Sequence, residues 1–206
     1  MSGSFPISTS KFSTMGIRSS QNTILSFTDS GKKLSRQIDG QRFGFTAKII
    51  TAKRSDAYGE LMAFIIKQRS GKENFTIIPP ELKNARGNET GTIQVDGSHS
   101  VGATSISIDG HQNNNPNAFK AGDYIKFANH SKVYMIVADI NPSSNSSTLT
   151  IEPPLINALA DDEVVTYDNV PFTVHLTNDI QEFGVVGASN NGELLYEFEL
   201  DVEEAL

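Results

Sequence analysis

The stretch Leu194–Val202, which reads Leu-Leu-Tyr-Glu-Phe-Glu-Leu-Asp-Val, decides the fold of this chain. Every second residue from Leu194 is apolar, and the residues between them are acidic from Glu197 onward. Successive side chains of a β-strand point to opposite faces, so this pattern predicts one long strand with an apolar face and a carboxylate face. Such a strand is stable only within a larger sheet, so its partners must come from elsewhere in the chain.

The stretch 42–51 is the most suitable partner for this strand. It alternates in the same way, with the basic residues Arg42 and Lys48 on the face opposite to four apolar side chains: Phe43, Phe45, Ala47 and Ile49. Opposite charges on neighbouring strands contribute about 0.2–1 kcal/mol per pair, which helps to set the register. The sequence therefore predicts a domain that begins near the N-terminus and is completed by the last residues of the chain.

Residues 55–70 form the one convincing helix of the sequence. Ser55 is a suitable N-cap, and Gly71 is the expected C-terminal stop. Apolar residues recur at spacings of three and four, which is typical of a helix that packs one face on a core. That face comprises Tyr58, Leu61, Met62 and Ile65, and it is broadened by Phe64 and Ile66.

A β-hairpin is predicted ahead of residue 42. Residues 22–27 and 33–38 are two short strand-like stretches on either side of the turn Thr28-Asp29-Ser30-Gly31. The first 20 residues are rich in serine and have scattered apolar positions. They are interpreted as an irregular arm with a short strand at its end.

The middle of the chain differs from both ends. Residues 81–91 are polar and aperiodic and mark a boundary, and short strands separated by turn residues follow them, which suggests a small barrel or sandwich. The predicted fold is mainly β with one α-helix. A discontinuous β-sandwich-plus-helix domain, residues 1–88 plus 170–206, carries an inserted small β-barrel, residues 89–169.

The net charge of −7 is unevenly distributed along the chain. Residues 1–88 hold 14 Lys and Arg against 6 Asp and Glu, residues 89–169 hold 3 against 10, and residues 170–206 hold none against 8. A basic segment can bind nucleic acid. Here the basic and acidic segments offset each other if they fold together or meet across a subunit boundary. We therefore expect no nucleic-acid specificity.

Composition also limits the compartment and the chemistry. The chain has no cysteine, so it has no disulfide and no thiolate metal site. No apolar run approaches the roughly 20 residues of a membrane span, so no membrane insertion is expected. The first residues have no basic region followed by an apolar core, so we expect no secretory signal and assembly in a cytoplasm.

Sequence motifs of catalysis and cofactor binding are absent. There is no nucleophile elbow, phosphate loop, zinc-protease motif or dinucleotide fingerprint. Asp109 with His111 and His99 fits no established metal spacing, and residues 161–163 indicate a charged turn rather than a calcium site. We therefore predict no catalytic residue, no cofactor, no metal site and no enzymatic activity.

The order of these features resembles the distal tail proteins, or the closely related minor tail (baseplate ring) proteins, of long-tailed bacteriophages, the siphophages, over residues 35–206. The residues that carry the resemblance are the basic strand 41–46, the helix end 64–71, the strand and proline turn 75–80, the stretches 121–127, 133–139 and 149–155, and the acidic end 198–206. The first 20 residues match no pattern of that family.

The resemblance implies a structural virion protein at the tail tip. Its outer domain is expected to form a hexameric ring that continues the tail tube and seats the hub or fibre-bearing proteins, and its inserted module is expected to be similar to an oligonucleotide/oligosaccharide-binding (OB) barrel. Because ring subunits meet head to tail, one surface must complement another. The residues expected at that interface are Arg42, Lys48, Glu197, Glu199 and Asp201.

Two other functions stay open on the sequence. The inserted module could be a carbohydrate-binding module for host attachment, with Tyr124, Phe127 and Tyr134 as possible glycan contacts, although the absence of tryptophan weakens a stacking platform. The third candidate is a hydrolase of cell-wall sugars, which has many carboxylates available but requires a pocket rather than a row of acids on one strand face.

Overall fold

The computed structural model describes residues 3–6, 12–38, 40–112 and 115–206, without the side chain of Ala57. Its α-helix is α1 (Gly59–Lys67), preceded by a π-helical turn (Arg54–Tyr58), and two short 3-10 turns cover Ser70–Lys72 and Pro80–Leu82. The strands are β1 (Phe12–Ser20), β2 (Thr23–Phe27), β3 (Lys33–Gln37), β4 (Arg42–Ile49), β5 (Ala52–Lys53), β6 (Phe75–Ile77), β7 (Gln94–Val95), β8 (Ser105–Asp109), β9 (Tyr124–Phe127), β10 (Val133–Ile136), β11 (Ser147–Glu152), β12 (Val165–Thr166), β13 (Phe172–Leu176), β14 (Gly184–Ala188), β15 (Leu194–Glu197) and β16 (Glu199–Glu204).

The chain divides into two compact units. Residues 1–76 and 174–206 form one unit, here called the terminal unit, and residues 77–173 form the other, here called the inserted unit. Residues 77–88 and 170–173 thus lie with the inserted unit, whereas the boundaries given by the sequence place them with the chain ends.

A five-stranded sheet in the order β1-β4-β16-β13-β6 organises the terminal unit. Its central pair is antiparallel, with Leu200 opposite Ala47 and Val202 opposite Phe45, and all four side chains are buried. The prediction that the end of the chain pairs with residues 42–51 is therefore confirmed. Apolar and polar residues alternate along both strands, so the apolar side chains of each strand lie on one face and pack into the same core.

The prediction of one long strand over Leu194–Val202 is wrong, because this stretch forms two strands, β15 and β16. β15 belongs to a separate sheet in the order β14-β15-β5, and β16 belongs to the five-stranded sheet. Phe198 lies at the break, is buried, and stacks on Phe183 with ring centroids 5.0 Å apart. The chain therefore changes sheets where one aromatic side chain enters the core, and Leu194 at the far end is half exposed.

The helix begins four residues later than predicted. The backbone of Asp56 is non-helical (φ −89°, ψ −127°), and Ser55 is not the cap. Gly59 is the first residue of α1. A Cβ atom at this position would lie only 2.8 Å from the carbonyl oxygen of Arg54, so a larger residue would require the backbone to shift. Leu61 and Ile65 are buried as expected.

The left-handed turn that follows the helix lies at Arg69 and Ser70, whereas the sequence predicted the C-terminal stop at Gly71. Arg69 and Ser70 have positive φ angles of 53° and 58°, so they and not Gly71 provide the left-handed turn. Ile66 is 66% exposed and does not belong to the buried face.

The hairpin is present as predicted. β2 and β3 pair in register from Thr23 opposite Gln37 to Phe27 opposite Lys33, and they form a two-stranded sheet of their own. Every residue of both strands is exposed.

The inserted unit is a nearly closed barrel. Its six strands follow the order β12-β9-β10-β11-β8-β7, and the two ends of this sheet are joined by a bridge between Gln94 and Val164. Two backbone hydrogen bonds of 2.9 Å, from Val95 to Glu163 and from Val165 to Ile93, strengthen this closure. The predicted fold class, mainly β with one helix and a small inserted barrel, is confirmed.

Replacing Phe198 by alanine tests the importance of the sheet change. Removing a fully buried Phe side chain costs about 3–5 kcal/mol, so we expect Phe198→Ala to lower the free energy of unfolding by that amount in a urea titration. Leu194→Ala is the matched control, because substitutions at exposed positions usually change stability by about 0.5 kcal/mol or less. Equal losses in the two variants would contradict the central position of Phe198.

Candidate functional site

The five-stranded sheet has one apolar face and one charged face. Side chains that are opposite each other on paired strands share a face, so the register assigns Lys48 with Glu199, Thr46 with Asp201, and Gly44 with Glu203 to the side that does not enter the core. We call this side the charged face; it consists of Arg18, Arg42, Gly44, Thr46, Lys48, Glu199, Asp201 and Glu203.

Two of the acids expected at an interface have partners within the chain. Lys48 Nζ lies 3.6 Å from Glu197 Oε2, and both side chains are nearly half exposed. Arg18 Nη1 donates to Asp201 Oδ1 at 2.5 Å, and Thr46 donates to the same oxygen at 3.3 Å. Exposed ion pairs contribute about 0–1 kcal/mol, so these contacts add little to the stability of the sheet.

Arg18 is a member of the charged face that the sequence did not indicate. It lies opposite Gly44 and crosses over that glycine to reach Asp201 and the carbonyl of Val202. A Cβ atom on residue 44 would come within 2.5 Å of Arg18 Nε, so glycine leaves room for the guanidinium. The signal was missed because residues 12–20 were interpreted as an arm, whereas they form the nine-residue strand β1.

Three acidic side chains, Glu182, Glu199 and Asp201, contribute to the lining of a depression next to the charged face. This acidic depression has a volume of about 350 Å³, and it is lined by Thr46, Asn178, Ile180, Gln181, Glu182, Glu199 and Asp201. Glu182 and Glu199 are exposed, and Asp201 is partly buried. Basic and acidic residues are therefore interleaved on one face, and acidic residues continue beyond it into the depression.

A buried polar network in the inserted unit resembles a catalytic triad in its distances. His111 Nδ1 lies 2.7 Å from Glu89 Oε2, and His111 Nε2 lies 2.7 Å from the hydroxyl of Ser147. The direction of Ser147 argues against a nucleophile, because it shares the inward face of β11 with the buried Leu149 and Ile151. The network therefore joins a loop, a turn and a strand inside the barrel.

Hydrogen bonds hold the carboxylate of Glu89 in its charged form. Burial raises the pKa of Glu89, but the hydrogen bond from His111 and those from the backbone N–H groups of Gly91 and Thr90 outweigh burial, so the pKa is lowered overall. Asn115 donates to the same carboxylate at 3.1 Å. No periodic pattern indicates this contact, because Glu89 lies in an aperiodic stretch of the sequence.

The residues considered as glycan contacts or metal ligands are buried or hydrogen-bonded within the inserted unit. Tyr124, Phe127 and Tyr134 are at most 8% exposed and lie within the inserted unit, so none offers a ring to a sugar at the surface. His99 Nε2 accepts a hydrogen bond from the Ser107 backbone at 3.1 Å. Within the described ranges, no three His, Asp or Glu side chains come together to hold a metal ion.

None of the helices in the described part of the chain is long and apolar enough to cross a membrane.

Residues 82–170 match the family described as Distal tail protein pb9, B domain. The matched segment coincides closely with the inserted unit, residues 77–173. No curated protein is significantly similar to the chain.

The fold defines a mainly β protein with an inserted barrel. The family match confirms its resemblance to phage distal tail proteins, and it supports a structural role in the tail of the virion. That family is structural, which agrees with the prediction that the chain is not an enzyme.

The Glu89 network gives a pH-dependent prediction. We expect Glu89→Gln to lower the unfolding free energy of the inserted unit at neutral pH by about 1.5–3 kcal/mol, because hydrogen bonds to charged groups contribute about that much. The folded pKa of Glu89 is lowered, so its stabilisation is present above the ordinary glutamate pKa of about 4.3 and is lost as the pH falls through the folded value.

The difference between the wild type and Glu89→Gln should therefore shrink on acidification. Urea titrations over a series of pH values measure it, with Glu152→Gln as the control, because Glu152 is exposed in the same unit. A difference that is constant at every pH would show that the charge of Glu89 contributes nothing.

Proposed function

We propose that this chain forms a hexameric ring at the distal end of a siphophage tail tube, where it joins the tube to the hub and fibre-bearing proteins. Assembly takes place in the host cytoplasm. The observation that carries the proposal is the match of the inserted unit to the distal tail family. In this proposal the terminal unit forms the ring, and the inserted unit is an OB-like barrel attached to it.

The charged face and the acidic depression are the surfaces through which the terminal unit would recognise a neighbour. A ring requires a heterologous contact in which two different patches meet. Lys48 and Glu199 are both exposed at the same level of the sheet, and Arg42 lies at its far end. Charges of this kind guide encounter and fix register more than they add affinity. The interface assigned to Arg42, Lys48, Glu197, Glu199 and Asp201 belongs to this proposal.

Carbohydrate binding by the inserted unit is not favoured. A sugar platform needs exposed aromatic rings, and the three rings suggested by the sequence are buried. Hydrolysis has no support from the Glu89, His111 and Ser147 network either, because Ser147 faces the barrel interior.

Reversal of the acids tests the ring. The variant carrying Glu197→Lys, Glu199→Lys and Asp201→Lys should fold, because the lost ion pairs are partly exposed. It should assemble at least tenfold more weakly than the wild type, since a tenfold loss requires only about 1.4 kcal/mol. Light scattering over a concentration series, with negative-stain images, measures the assembly.

The control carries the same change in net charge elsewhere. Asp56→Lys, Glu60→Lys and Glu152→Lys replace three exposed acids outside the charged face. If both triple variants assemble as the wild type does, the charged face is not at the subunit interface. If both weaken equally, only the net charge matters.

A further inference from the structure

The β2–β3 hairpin leaves apolar side chains exposed on both of its faces. The register assigns Leu25 and Phe27 to one face, and Ile24 and Leu34 to the other. Their exposed fractions run from 49% to 67%. Packing one face of the hairpin on its own unit would therefore still leave apolar surface in water.

A two-stranded hairpin is at best marginally stable in water by itself. Clustered exposed apolar surface on a protein also marks an interaction site. Since every residue of both strands is exposed within this chain, a second molecule would have to cover this surface.

Strand β14 is an edge without the usual protection. It is the first strand in the order β14-β15-β5, so among the described residues nothing pairs with its outer side. Edge strands are commonly protected by lysine or proline, but β14 reads Gly-Val-Val-Gly-Ala and has neither. Val185 and Val186 are 52% and 50% exposed. The strand has five residues, which is the length of each hairpin strand.

The distribution of charge favours β14, rather than the edge strand β1 of the terminal unit, as the partner of the hairpin. β3 carries Lys33 and Arg36, whereas β1 has no acidic side chain of its own that could attract them. β14 follows Glu182 of the acidic depression, and its first residue lies opposite Glu197 on β15. Exposed valines and carboxylates on one surface thus complement exposed apolar and basic side chains on the other.

We propose that the hairpin of one subunit pairs through β3 with the outer edge of β14 in a second copy of this chain, with Arg36 directed toward the acidic depression. This inference rests on the proposed ring and names its contact. A strand added to an open edge contributes main-chain hydrogen bonds, while the side chains supply specificity. The contact is heterologous, because hairpin and edge are different surfaces, and its repetition generates a ring when the rotation between neighbours closes, as the proposed hexamer requires.

Cysteine cross-linking tests this contact against a clean background, because the chain has no cysteine. Ser35→Cys on β3 and Val186→Cys on β14 are combined in one full-length chain and treated with a short bismaleimide. We expect a ladder of covalent oligomers that ends at the closed ring. Each single variant alone should give no ladder, and a mixture of the two single variants should give dimers.

The control pair joins Ser35→Cys with Thr14→Cys on β1, which is equally exposed. A ladder from the control pair and none from the Ser35 and Val186 pair would overturn the choice of β14. Rings in light scattering without either ladder would overturn the hairpin contact and leave the proposed ring standing. A chain that stays monomeric and gives no ladder at high concentration would contradict both.

A charge exchange gives a second measurement. Arg36→Glu should weaken assembly at least tenfold, and adding Glu182→Arg to the same chain should restore it, because the two residues meet between subunits. If the double variant assembles no better than Arg36→Glu alone, these two charges do not meet.

Discussion

The pairing of β4 with β16 is the interaction on which the rest of the structure depends. It joins Phe45 to Val202 across most of the chain length and buries both side chains in one core. The carboxylate of Glu204, which is buried at the end of β16, accepts a hydrogen bond from the Phe43 backbone at 3.1 Å. Because the two chain ends form one sheet, the residues between them can fold as a separate unit without interrupting that core.

The same pairing determines the charged face. The register that buries one set of side chains brings Lys48 beside Glu199 and Thr46 beside Asp201 on the other side. Arg18 then reaches Asp201 across Gly44, so part of the acidic charge is matched within the subunit. Glu182 and Glu199 of the acidic depression are exposed, and Glu182 lies two residues before β14. Charges there can orient a neighbour, whereas main-chain pairing and apolar burial would supply most of the affinity.

The inserted unit shows why the distances between three side chains do not define a catalytic site. Glu89, His111 and Ser147 have the spacing of a triad, but strand alternation directs Ser147 toward the barrel interior. The same polar network has a clear structural use, since a buried carboxylate is stable only when it is hydrogen-bonded. It connects the beginning of the barrel to a distant turn and to β11.

The sequence by itself determined the pairing of the chain ends, the hairpin, the single helix and the mainly β inserted barrel, because each leaves a periodic or turn signal over a few residues. Only the tertiary structure decided the break at Phe198, the late start of the helix at Gly59, the place of Arg18 on the charged face and the contact of Glu89 with His111. These features depend on which distant groups meet: an aromatic ring enters the core beside Phe183, and a guanidinium crosses a glycine on the next strand. Alternation tells which side chains share a face, but burial and neighbours decide where a strand ends and which charges find partners.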